Sequence, residues 1–281
     1  MREIHVHQLT DAVGQLAQEA SYRLPADVVS AFHQGLQREV SPLGKSILGQ
    51  LIENANIAEE GVFPYCQDTG YAVVFLEIGQ DVHFVGGDIE TAIQSGIQKG
   101  YQEGYLRSSI VGDPLFRRVN TQTNTPGVVH YRMVPGDKVH VRFMPKGGGS
   151  ENASQLKMLK PSDGVVGVKD FVVQVAAQAG PNACPPFILG VGIGGTVDKV
   201  MELAKEALFR PIGSIHPDPQ YAALEKDIFE EVNALGIGPE GLGGKITTLA
   251  VHIEAYPAHI ASLPVGVNVQ CNAARSKTIL I

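Results

Sequence analysis

Ala72-Val73-Val74-Phe75-Leu76-Glu77-Ile78 is the stretch on which the reading of this chain turns. An apolar, β-branched run of this length predicts a strand, and the strand pattern continues through Val82 to Val85. The period then changes. Asp88 is placed to cap a helix, and the stripe Ile89, Ala92, Ile93, Ile97 and Tyr101 has the three- and four-residue spacing of an amphipathic helix.

Upstream, residues 8–21, 26–40 and 43–59 carry apolar side chains at helical spacing, Val29, Phe32 and Leu36 among them, and these helices are expected to cover a sheet. Downstream, a turn at Pro135-Gly136-Asp137 precedes the alternating run 139–144, which predicts a half-buried strand ending in a loop over residues 145–152. A helix over 163–179 closes at Gly180-Pro181. Residues 187–191 predict a buried strand, and further strands are expected near 246–253 and 265–269. The fold class expected is α/β (mixed α+β): a helical N-terminal region packed with mixed sheets and surrounding helices. The 281 residues are expected to form a single domain, with room for two lobes.

Net charge is −7, and the 22 Lys and Arg residues are scattered, so no basic stripe exists to neutralise phosphates; nucleic acid is not an expected partner. The start, Met1 to His7, has no apolar export segment, and no window approaches the ~20 apolar residues of a membrane span. A cytoplasmic chain with no membrane association is expected. Three cysteines is an odd number without a secretion signal, which argues against a disulfide framework and for thiols or metal thiolates.

Glycines 190, 192 and 195 satisfy G-x-G-x-x-G between a strand and a helix. A dinucleotide fold needs a second strand ending in Asp or Glu about 20 residues on. Here the helix runs out into Arg210-Pro211-Ile212-Gly213 instead. Close strand–helix packing, or an anion at the helix N-terminus, is the preferred reading.

Each cysteine lies in a loop-like context: Pro64-Tyr65-Cys66-Gln67-Asp68-Thr69-Gly70, Asn182-Ala183-Cys184-Pro185-Pro186 and Gln270-Cys271-Asn272. Their wide separations exclude the local C-x-x-C hairpins of zinc ribbons and ferredoxin loops, so a shared metal would have to be assembled by the fold. Spacing alone favours three unrelated small buried thiols.

Over nearly its whole length the chain resembles the N-terminal catalytic part of class I fumarases and the α subunit of L-tartrate dehydratases. The resemblance is carried by Cys66-Gln67-Asp68-Thr69-Gly70, Leu106-Arg107, Lys146-Gly147-Gly148-Gly149-Ser150-Glu151-Asn152, Asn182-Ala183-Cys184-Pro185-Pro186, and His259 through Cys271. It implies a [4Fe-4S] cluster held by Cys66, Cys184 and Cys271, with one iron uncapped to act as a Lewis acid on a 2-hydroxy acid. It further implies acid–base work for Asp68, whose alternative is an Asx-turn residue ahead of Gly70. Gln67 would hydrogen-bond the substrate, and Arg107 would clamp a carboxylate unless it is a solvated helix-end arginine. Gly149 and its neighbours would bring backbone N–H groups to an anion, where a mobile turn would use the same residues. His259 would meet the leaving hydroxyl, although a lone histidine is more often structural.

Ser150 after the glycines points to fumarate hydratase acting on (S)-malate, because tartrate dehydratase α chains tend to carry a cysteine there; L-tartrate dehydratase α subunit is the alternative. The chain stops shortly after Cys271, where fused relatives continue, so a separate β subunit and an α2β2 assembly are expected. Two non-enzyme readings remain beside these: a structural zinc protein, and an electron-transfer scaffold with His259 as a fourth ligand.

Overall fold

The computed structural model describes residues 1–281. In chain order its elements are β1 (Arg2–His5), α1 (His7–Tyr22), α2 (Ala26–Arg38), α3 (Pro42–Glu59), β2 (Tyr71–Gly79), β3 (Val82–Val85), α4 (Ile89–Glu103), β4 (Val128–Val134) and β5 (Val139–Lys146). They continue with α5 (Gly148–Asn152), β6 (Gln155–Leu159), α6 (Gly164–Ala179), β7 (Phe187–Gly194), α7 (Val197–Ala207), α8 (Pro219–Ala234), β8 (Thr248–Tyr256), β9 (Leu263–Gln270) and β10 (Lys277–Leu280). Helices and strands mix throughout, as the switch of period after residue 85 predicts.

The chain divides into two compact units. The first comprises Met1–Pro25, Ala55–Gly148 and Arg275–Ile281. Its main sheet has the order β10-β5-β2-β4, with β2 antiparallel to β5 and parallel to β4, and β1 pairs separately with β3. Ala72 to Leu76 are all buried, and β2 is an inner strand whose two edges are both paired. Leu9, Val13 and Leu16 of α1 and Ile93 and Ile97 of α4 close the core over Ala72, Val74 and Leu76. Asp88 caps α4 by accepting from Thr91 N at 2.7 Å. Gly14, Gly96 and Gly100 let α1 and α4 approach: a Cβ on Gly100 would lie 2.6 Å from Gly14 O.

The second unit, Ala26–Asn54 and Gly149–Ala274, holds the sheet β6-β9-β7-β8. Phe187, Leu189 and Val191 of β7 pack with Val172 and Val175 of α6 and Ile228 of α8. On the other face Gly190 and Gly192 meet α7, where a Cβ would lie 2.0 Å from Ala204 O and 2.0 Å from Val200 O respectively. The glycine motif is therefore a packing device, as its missing partner strand predicted.

The N-terminal helices do not form one layer. Residue 26 begins the second unit, so α1 serves one sheet while α2 packs on β8 of the other. Glu39 fastens α2 there: its buried carboxylate accepts from Val40 N and Ser41 N, and from Lys245 N and Ile246 N ahead of β8, at 2.8–3.0 Å. Burial pushes its pKa up, but the four N–H donors outweigh this and hold it below the ordinary 4.5. A depressed carboxylate contributes stability at neutral pH that is lost as pH falls through its folded pKa. Glu39→Gln is expected to cost about 2 kcal/mol at pH 7. In urea titrations the gap to wild type should close below pH 4.5.

Candidate active site

Cys66, Gln67 and Asp68 lie in the loop that enters β2, within the first unit. The loop is held from beneath. Buried Tyr101 donates its hydroxyl to the carbonyls of Thr69 at 2.7 Å and Gly70 at 3.1 Å, and Asn124 Nδ2 donates to Gly70 O at 3.0 Å. Burial pushes the Tyr101 phenol well above its usual range, so it stays a donor. Gly70 has φ +74°, and a Cβ there would lie 2.5 Å from Lys146 O, so only glycine fits where the loop crosses β5.

Asp68 does form the Asx turn: Oδ1 accepts from Gly70 N at 3.0 Å. Its Oδ2 accepts from Gly148 N at 2.9 Å. The backbone N–H of the triple glycine thus meets an anion, and that anion is the chain's own Asp68. Each carboxylate oxygen keeps a further lone pair for another donor. The Arg107 carbonyl accepts from Thr69 Oγ1 at 3.0 Å, which draws the loop after α4 to the same place. Asp68, Arg107, Tyr71, Ser109 and Gly148 line a cleft of about 260 Å³, where the Arg107 side chain is exposed. Larger hollows, up to about 640 Å³, contain none of the residues singled out from the sequence.

In the second unit Cys184 precedes β7 and Cys271 follows β9, and these strands run antiparallel with Ile188 opposite Gln270. Both cysteines therefore sit at one end of the sheet. Asn272 ties them: its backbone N–H and its Nδ2 both donate to Cys184 O, at 3.1 and 3.0 Å. Asn272 Nδ2 also donates to the Glu240 carboxylate, and Glu240 N donates to Pro185 O at 2.6 Å. Burial pushes the Glu240 pKa up. Cys184 is exposed, in the left-handed region at φ +49°, and Cys271 is partly exposed. Gly149 opens the unit's second segment, and a Cβ there would lie 3.4 Å from Asn182 O. Glu151 accepts from Lys205 Nζ at 2.6 Å and Asn268 Nδ2 at 3.1 Å.

His259 is elsewhere. It is exposed in the connection from β8 to β9, at the opposite end of a strand roughly 25 Å long from Cys271. Its Nδ1 accepts from Ala261 N at 3.2 Å, a local turn contact. His252 is buried, and burial followed by the charge of Arg210 pushes its pKa down to about 4, so it is a neutral core histidine. From the sequence Tyr101 is expected only as part of the apolar stripe of α4, and Asn124, Asn272 and Glu240 are given no site role. Only Asn272, next to Cys271, carries a signal by position.

Three thiols with no histidine or carboxylate among them form a donor set suited to iron–sulfur ligation. Asn272 holds the backbones of Cys184 and Cys271 together through the Cys184 carbonyl, and all three cysteines have some exposure. The chain's residues fit the group. No helix is long and apolar enough to cross a membrane.

Residues 10–280 match the family model described as fumarate hydratase (Fumerase). A Methanocaldococcus jannaschii protein, provisionally named L(+)-tartrate dehydratase subunit alpha, is 44% identical over 273 residues, covering 95% of each chain. The Escherichia coli O157:H7 protein named L(+)-tartrate dehydratase subunit alpha is 36% identical over 280 residues, covering 98% of this chain and 91% of the relative. The K12 protein of that name is 35% identical over the same span.

Proposed function

The chain belongs to the fumarate hydratase (Fumerase) family of hydro-lyases, and from that premise we propose that it is the α subunit of an L(+)-tartrate dehydratase. The observation that carries the choice of substrate is the name shared by relatives 35–44% identical over at least 95% of the chain. This corrects the preference for fumarate hydratase drawn from Ser150. That residue is 3% exposed, which makes its side chain a poor reporter of a substrate's second hydroxyl.

The reaction removes water across two carbons: a C–O and a C–H bond break, a π bond forms, and the leaving oxygen needs a proton. Cys66, Cys184 and Cys271 would hold a [4Fe-4S] cluster, which when bound would supply Lewis-acid polarisation of the C–O bond. Asp68 handles the oxygen's proton, delivering it in dehydration and taking it back in hydration, at whichever Oδ turns its remaining lone pair to the substrate. Its two backbone N–H bonds fix the carboxylate's orientation, which is how positioning lowers a barrier. Arg107, in the same cleft, offers a planar fork to a substrate carboxylate. Gln67, exposed beside Asp68, takes a hydroxyl or carboxylate oxygen. Gly149 offers its backbone N–H to a substrate carboxylate. His259 is proposed to meet the leaving hydroxyl.

We assign the group that takes the carbon-bound proton to a separate β subunit, which the relatives' designation "subunit alpha" supports, and propose an α2β2 assembly for the working enzyme. Three cysteines in need of reduction suit the cytoplasm. The test is anaerobic purification with the smaller subunit co-expressed, followed by iron and sulfide analysis and parallel assays on L(+)-tartrate and (S)-malate. A kcat/KM at least tenfold higher on tartrate is expected. The reverse ratio restores fumarate hydratase, and zinc or no metal after reconstitution removes the cluster from the account.

A further inference from the structure

Arg275 is the largest side chain of the protein with essentially no exposure, at 1%. One terminal nitrogen, Nη2, donates to Asp68 O at 2.8 Å. Its Nε and Nη1 are enclosed and have no acceptor. A guanidinium stays protonated at any pH a protein survives, so this is a buried positive charge with two unmet donors. Such a group costs several kcal/mol unless an anion accompanies it. The Asp68 carboxylate shares an electrostatic neighbour with it, since both act on the Tyr101 phenol. The Asp68 carboxylate, however, is directed to Gly70 N and Gly148 N, and only its backbone carbonyl meets the arginine. Within its unit the chain therefore holds a fixed cation directly behind the loop that carries Asp68, and no carboxylate accepts a hydrogen bond from it.

We propose that Arg275 is a positioning residue whose uncompensated charge is completed by the anionic ligand of the Asp68 cleft, a dicarboxylate. This rests on the functional reading given above. Buried charge acts through surroundings of low dielectric, so it attracts a dianion without touching it, and salt screens it weakly. It also explains why the Asp68 loop tolerates a full positive charge where a neutral donor would satisfy the same carbonyl.

The sign of the stability change separates this role from a structural one. In the metal-free chain, Arg275→Met is expected to leave the thermal midpoint unchanged or raise it, because an unpaired charge is removed. In the reconstituted protein, calorimetric titration with L(+)-tartrate should show about tenfold weaker binding for Arg275→Met, persisting at high salt, and near wild-type binding for Arg275→Lys. A lowered metal-free midpoint together with unchanged tartrate affinity overturns the proposal and makes Arg275 a packing residue. A wild-type protein that binds neither tartrate nor malate overturns the functional reading instead. The metal-free midpoints still decide whether the charge at 275 is uncompensated.

Discussion

Cys184→Ser is expected to lower the kcat of the reconstituted enzyme on L(+)-tartrate by on the order of 10³-fold or more, while leaving the metal-free fold intact. The reason lies in where Cys184 sits. Its side chain is exposed and its backbone is held by Asn272 through the carbonyl, so exchanging sulfur for oxygen disturbs no core contact. The metal-free stability should change by no more than about 0.5 kcal/mol. A serine hydroxyl is a far weaker ligand for iron than a thiolate, and losing the bound Lewis acid forfeits several kcal/mol of charge stabilisation at about 1.4 kcal/mol per tenfold. Iron and sulfide per chain, thermal midpoint and kcat measured on one preparation decide the matter. Full iron content with undiminished turnover would remove Cys184 from the ligand set.

Asp68→Asn is the second large effect, an expected loss of about 10²–10⁴ in kcat with KM for tartrate changed little, because the amide cannot carry the oxygen's proton. Substrate carboxylate binding is left to Arg107 and does not depend on the proton. The substitution also has a structural side: one end of the amide must face Gly70 N or Gly148 N with a donor of its own. Iron content and thermal midpoint are therefore measured alongside, and Asp68→Glu, which keeps the acid but displaces it, serves as a second variant. If both variants keep the loop folded and turn over within a factor of about three of wild type, Asp68 is an Asx-turn residue and nothing more.

The periodic elements were readable because they are each buried on one stripe or on both faces. Strand β2 and helix α4 with its Asp88 cap lie within a residue or so of their expected bounds. The elements that escaped notice have mixed polarity. β4 is an edge strand carrying His130 and Arg132, and β1 and β10 are four-residue strands whose hydrogen bonds come from distant parts of the chain. Residues 145–152, expected as a loop, continue β5 through the fully buried Lys146 and then turn helically from Gly148. A buried lysine breaks the polarity rule on which that expectation rested.

The site divides along the same line. Local sequence determined the residue types: three cysteines beside glycine, proline and asparagine, an aspartate next to one of them, and a glycine run whose backbone N–H is available to an anion. These are legible because bond geometry and side-chain chemistry act over a few residues. Tertiary structure alone decided which partners those groups meet. It gave Gly148 N–H to Asp68, placed Cys184 beside Cys271 through the antiparallel pairing of β7 and β9, sent His259 to the far end of β9, and buried Arg275 behind the Asp68 loop. Pairings of that kind depend on strand register and chain closure over long separations, and no short-range pattern in the sequence records them.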